Sequence, residues 1–215
     1  MQILKEDFAG FDAQLIIMDV VPWMLPYYEA SGIQFEIEDN RDYMDYTFTP
    51  EQFLAGMDTQ DDRYRYNYFK RRFAYETEEI TPSHREEIRE FMEREWCGEK
   101  TCEECHCGCL LRVIDNLVPV FDKIRINGIL VRVEGKMAGL CIVSCRNGLG
   151  VYQYKNAVNR IKGINEYLLR ESFERYLQSA DTINYTEDMG VENLRYYKEH
   201  MACLLYTSDA ADDKA

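Results

Sequence analysis

Ile126–Lys155, INGILVRVEGKMAGLCIVSCRNGLGVYQYK, is the stretch on which the fold turns. From Gly128 onward the apolar period is two. Ile129 to Glu134 reads as one strand, Gly135 as a turn and Met137 to Cys145 as the returning strand. Asn147-Gly148 is the dipeptide that best joins antiparallel strands, and Leu149 to Lys155 follows as the third. On the C-terminal side, Gly163 to Leu177 has helical spacing with Ile164, Tyr167, Leu168 and Phe173 inward. Thr182 to Thr186 is a short strand, and Val191 to His200 is a helix placed after Gly190. The order strand, strand, strand, helix, strand, helix predicts an α+β fold, a mostly antiparallel sheet flanked by helices.

On the N-terminal side the helical period governs. Leu110, Leu111, Ile114, Leu117, Val118 and Phe121 form one apolar face that Pro119 should end or kink. Thr81-Pro82 is a helix start, a hydroxyl before a proline at the first helical position, and Ile88, Phe91, Met92 and Trp96 make the buried face that follows. Arg63 to Arg72 packs five cations among Tyr64, Tyr66, Tyr68 and Phe69 and reads as helix. Asp58 to Asp62 reads as a linker or exposed loop, and PEQFLAG (50–56) as a helix. Further back, Leu15 to Val21 is a buried strand, Pro22 to Ala30 a short helix ended by Gly32, and Ile33 to Glu38 a half-buried strand.

The 215 residues suit one full domain with an appendage. A net charge of −14 repels phosphate backbones and anionic lipid over most of the surface, so DNA is not an expected partner and any polyanion must bind a local basic patch. No run approaches the ~20 apolar residues of a membrane span, and MQILKEDFAG lacks the order of a secretory signal; a cytoplasmic chain with reduced thiols is expected.

The blocks RDYMDYTFTPEQFLAG, NYFKRRF, INGILVRVEGKMAGLCIVS, RIKGINEYLLRESF and INYTEDMGVENLRYYKEHM together resemble the phosphatidylglycerol lysyltransferase C-terminal domain family over most of residues 33–201. The resemblance implies two GNAT-like units in tandem: the end of a first unit in 1–57, a second unit in 58–202, and a chain clipped at both ends. Cys203 to Ala215, CLLYTSDAADDKA, resembles a translated sequencing adaptor and is read as a non-native or disordered tail. Tyr154-Lys155-Asn156 stands where the family usually has an acidic or basic pair before the central helix, and YTE ahead of Asp188 replaces its usual arginine-led acidic run.

The resemblance implies acyl or aminoacyl transfer from acyl-CoA or aminoacyl-tRNA to an amine or hydroxyl, with the oligomeric state left open. The rival reading is a non-catalytic binding module on the same fold, zinc-stabilised in one version. Arg160, Lys162, Gly163 and Asn165 occupy the turn where GNAT enzymes hold a pyrophosphate at a helix N-terminus, and a plain loop into a helix is the other reading. Arg63 and Arg65, within the basic aromatic stretch, could hold the phosphates of CoA or of charged tRNA, or could simply form a solvated face. Glu187 and Asp188 are candidate bases and Tyr196, or its neighbour Tyr197, the candidate acid. The alternative is that Asp188 caps the Gly190 turn and pairs with Arg195. Cys102-x-x-Cys105, completed by Cys97 with Cys107 or Cys109, suits a structural tetrahedral zinc site, against a loop of free thiols.

Overall fold

A computed structural model describes residues 24–32, 36–38, 40–97, 110–201 and 204–205. Its sheet has strand order β2-β3-β4-β5-β6-β1-β7, where β1 is Tyr46–Phe48, β2 Tyr75–Glu79, β3 Asn127–Val133, β4 Lys136–Arg146, β5 Leu149–Ala157, β6 Thr182–Asn184 and β7 Leu204–Leu205. Every pairing is antiparallel except β5 with β6. Seven α-helices of the described residues join them: α1 Leu25–Glu29, α2 Pro50–Gly56, α3 Gln60–Arg72, α4 Arg85–Met92, α5 Leu110–Leu117, α6 Ile164–Ser172 and α7 Glu192–His200.

The meander β3-β4-β5 forms where the period of two predicted it. Both hairpin turns place two consecutive residues at positive φ, Glu134 and Gly135 (53° and 75°) and Asn147 and Gly148 (51° and 79°), the backbone of the tight turns that match strand twist. Pro119 ends α5, which stops at Leu117. PEQFLAG is α2, started by a capping box in which the Gln52 amide donates to Thr49 Oγ1 (3.2 Å) and the Thr49 amide to Gln52 Oε1 (2.8 Å).

Three expectations are corrected. Only Asp58 and Thr59 of the expected linker stay outside helix: Thr59 caps α3, and Asp61 and Asp62 in the first turn with Lys70, Arg71 and Arg72 in the last complement its dipole. Trp96 was expected on the buried face with Ile88, Phe91 and Met92. The chain widens to a π-turn at Glu93–Cys97, the extra residue rotates the face, and Trp96 is 49% exposed. Glu36–Glu38, the described part of the expected strand at 33–38, are exposed and outside any strand, while the expected strand at 15–21 lies outside the described residues. Strands β1 and β2 went unread, because three residues are too few for a period and the acids of YETEE mimic a loop. β2 is a sheet edge, where charge is the usual guard against further pairing.

The core is continuous across the expected boundary at 57/58. Phe53 of α2, fully buried, packs against Tyr152 (ring centroids 5.2 Å), Phe173 (5.8 Å) and Tyr185 (5.8 Å), and β1 lies hydrogen-bonded between β6 and β7.

Candidate active site

β5 and β6 pair in parallel at Leu149/Thr182, Gly150/Ile183 and Val151/Asn184, then part. β6 stops at Asn184, while β5 runs on against β4 to Ala157, so its second half has no partner on one side. A bulge at Ile142/Val143 puts two β5 residues where the ladder needs one. Tyr152, opposite Val143, and Lys155, opposite Cys141, therefore share a face. The parting strands make a wedge. Its floor is aromatic, with Tyr152 and Tyr185 edge to face at 5.3 Å over Phe53, and the Tyr152 hydroxyl satisfied by the Leu169 carbonyl at 2.9 Å.

Above this floor the lining is charged. Lys155 Nζ donates to Asn165 Oδ1 (3.0 Å) in the first turn of α6; burial of the ammonium pushes its pKa below the ordinary lysine value, against the fields of Cys141 and Glu166. Glu166 lies 3.6 Å from Arg65 of α3, which also binds Asp61 at 2.8 Å. Tyr197 of α7 feels Asp62, Glu166 and Arg65. Although 37% of the residue is exposed, dehydration of the phenol, then the fields of Asp62 and Glu166, push its pKa up, so it keeps its proton.

The rim after β6 is a strained loop. Thr186, Met189 and Gly190 all have positive φ (56°, 52° and 72°), and for a β-branched threonine this is an unfavourable state that only surrounding contacts can hold. Those contacts are present. Lys198 Nζ donates to the carbonyls of Tyr185 (2.6 Å), Thr186 (3.1 Å) and Glu187 (2.8 Å). Asp188, with no side-chain exposure, accepts from Arg195 Nε (3.0 Å) and Nη2 (2.9 Å), Arg41 Nη1 (3.1 Å), Tyr46 Oη (2.5 Å) and the Gly190 amide (2.9 Å). Asp42 and Glu199 complete the cluster through Arg195 and Arg41.

The residues expected from sequence are distributed as follows. Asp188 is held far below the carboxylate range, first by Arg195, against the penalty of burial, and then by Tyr46 and the Gly190 amide. Such a carboxylate resists protonation, and its contacts with the Gly190 amide and Arg195 are those of a cap and strut. The Glu187 carbonyl serves Lys198. Tyr196 is 65% exposed, and its neighbour Tyr197 is the phenol within the field of the wedge. Gly163 has φ +88°, and a β-carbon on it would lie 2.1 Å from the Arg65 carbonyl oxygen, so the close approach its size allows is taken up by α3. Asn165 accepts from Lys155. Lys162 lies over Tyr64 (4.7 Å) and Tyr68 (5.5 Å), Arg63 pairs with Asp58 (3.0 Å), and Arg160, 77% exposed in its side chain, is 3.8 Å from Glu95. Cys97 is half-buried at the end of the π-turn, whereas Cys102, Cys105 and Cys107 lie outside the described residues. Among the described residues no group of three or more His, Cys, Asp or Glu could hold a metal. Sequence reasoning missed Lys155 and Glu166. A lysine on an inward strand position was a signal; an acid in a first helical turn reads as dipole complement and hid the other.

A mixed sheet whose single parallel pair splays, with the crossover helix starting beside the gap, defines a GNAT-like acyltransferase fold. The family model described as phosphatidylglycerol lysyltransferase, C-terminal, matches residues 1–202, and the chain belongs to that family. Among solved structures it is similar to a conserved protein of unknown function from Bacteroides thetaiotaomicron, with 22% identity over 95% of this chain and 71% of that one and a TM-score of 0.72. It is similar to L-PGS from Bacillus licheniformis (15% identity, 85% and 63% covered, TM-score 0.56) and to a tandem GNAT protein from the clavulanic acid biosynthesis pathway (10%, 85% and 56%, TM-score 0.51). The chain thus spans from about half to under three quarters of the length of these structures. No curated protein matches it.

Proposed function

We propose that this chain is the transferase unit of an enzyme that moves an acyl or aminoacyl group from an activated donor to an amine or hydroxyl, with the reacting carbonyl in the gap between β5 and β6. The observation that carries the reading is the parting of these strands after Val151 and Asn184, with Lys155 on the unpaired half of β5 hydrogen-bonded to Asn165 at the start of α6 and Tyr197 within the field of Glu166. Tyr197 is the proton donor to the leaving atom, a phenol that stays protonated. Asp188 positions the Tyr185–Val191 rim.

An aminoacyl ester of tRNA is favoured over acyl-CoA as donor. The turn at Gly163, which would cradle a pyrophosphate, is backed by the Arg65 carbonyl, and Arg63 and Arg65 are engaged by Asp58, Asp61 and Glu166. The family name points the same way, toward lysyl transfer to a lipid headgroup. Among the described residues no helix is long and apolar enough to cross a membrane, so a lipid acceptor would have to be met at a surface. The test is a transfer assay with labelled lysyl-tRNA or acetyl-CoA as donor and dispersed phosphatidylglycerol or a lysine-containing dipeptide as acceptor. Label passing from lysyl-tRNA to an acceptor is expected. Transfer from neither donor, with no thermal stabilisation by either, supports the binding-module reading instead.

A further inference from the structure

Lys155 is given no chemical step in the scheme above. It stands on β5 four residues beyond the last β5–β6 pair, on the face of Tyr152, where the strands have separated. Its hydrogen bond to Asn165 is the one it makes among the described residues, although an ammonium carries three donors, and no carboxylate of those residues lies within ion-pair distance. Glu166 is engaged by Arg65. From β4 it faces Cys141, a thiol that burial pushes up to about 11 and therefore neutral; from α6 it faces Asn165 and Glu166. Arg65 of α3 pairs with Glu166, Asp62 of α3 and Glu166 act on Tyr197 of α7, and Tyr185 beyond β6 lies within the fields of Tyr197, Cys141 and Glu166. Lys155 is half-buried, and an ammonium with one neutral protein acceptor and no carboxylate partner keeps donors available to a further oxygen placed in the gap.

We propose that Lys155 is a catalytic residue whose ammonium donates to the carbonyl oxygen of the activated acyl group in the β5–β6 gap and holds the negative charge that develops there. The proposal rests on the transferase reading above. In the step, the acceptor's lone pair forms the new bond to the carbonyl carbon, and the π pair moves onto the oxygen facing Lys155. That pair returns as the bond to the leaving oxygen or sulfur breaks, and the acceptor's proton ends on the leaving atom. Lys155 keeps its proton throughout. With the negative field of Glu166 nearby but no ion pair to it, Lys155 suits a carbonyl that gains charge in the transition state better than a ligand already anionic.

The test compares K155M and K155R with the wild-type chain in single-turnover transfer from lysyl-tRNA and from acetyl-CoA, each with the two acceptors above. For K155M kcat should fall roughly 10²- to 10³-fold, the loss typical of one oxyanion donor, with the donor KM within a few-fold. K155R should restore part of kcat, and the fall of kcat at alkaline pH should be present in wild type, shifted in K155R and absent in K155M. Since Lys155 is half-buried and lacks a carboxylate partner, K155M should melt no lower than wild type. A folded K155M with wild-type kcat, a loss confined to KM, or a K155M melting several degrees lower makes Lys155 a strut and overturns the assignment. A wild-type chain inert with both donors overturns the transferase reading, and the assignment falls with it.

Discussion

Asp188 and Gly163 illustrate how single residues act here through what surrounds them. The Asp188 carboxyl has a folded pKa below its unfolded value of about 3.9, so its contribution is fully present above that value and is lost as the pH falls through the folded pKa. Wild-type stability should therefore drop steeply below about pH 4. Asp188→Asn should lose about 3–5 kcal/mol at neutral pH, because Arg41 and Arg195 are left without their buried partner, and should lack that part of the acid loss; urea unfolding from pH 3 to 7 checks both. Gly163→Ala sets a β-carbon against the Arg65 carbonyl at a φ of +88°, and a loss of about 2 kcal/mol or more in urea unfolding is expected, whatever ligand the turn binds.

At the scale of elements, the wedge is made by a helix start, a bulge and a strained rim. α3 crosses the N-terminus of α6, held by the Arg65–Glu166 pair, by Tyr66 stacked on Tyr167 at 5.9 Å, and by Arg170 reaching the Met57 carbonyl at 3.2 Å and Asp58 at 3.0 Å. Its start is the weak point. Thr59→Ala removes the acceptor for the Asp62 amide and should cost about 1 kcal/mol, with earlier hydrogen exchange in Gln60–Tyr64 than in the last turn of α3. Helix α3 was legible from Arg63 to Arg72 because tyrosine and arginine periodicity is local. Its first turn was not, since Asp61 and Asp62 are loop-like in isolation and helix-favouring only once Thr59 caps the chain.

For the molecule as a whole, the decisive fact is that β1, from the short N-terminal segment, is an interior strand next to the wedge. Phe53 fills the wedge floor, and Arg41, Asp42 and Tyr46 brace the rim through Asp188 and Arg195. A chain beginning at residue 58 should consequently lose its cooperative transition, and Phe53→Ala in the intact chain should cost about 3–5 kcal/mol while keeping a single transition; circular dichroism and differential scanning calorimetry distinguish these outcomes. The segment up to residue 57 and the sheet beyond it would then behave as one folding unit.

Local chemistry in the sequence was enough for the β3-β4-β5 meander, the crossover helix and the order of elements that identifies the fold, because alternation, Asn-Gly turns and proline stops act over a few residues. It also placed Asp188 and Arg195 on the page as a capping pair. Only tertiary structure decided that β5 leaves β6 after Val151, that α3 closes on Gly163, that the Tyr197 phenol is dehydrated while Tyr196 is exposed, and that Lys155 meets Asn165. Each of these depends on contacts between residues far apart in the chain, and a pattern of neighbours carries no record of which distant backbone will arrive to remove the water.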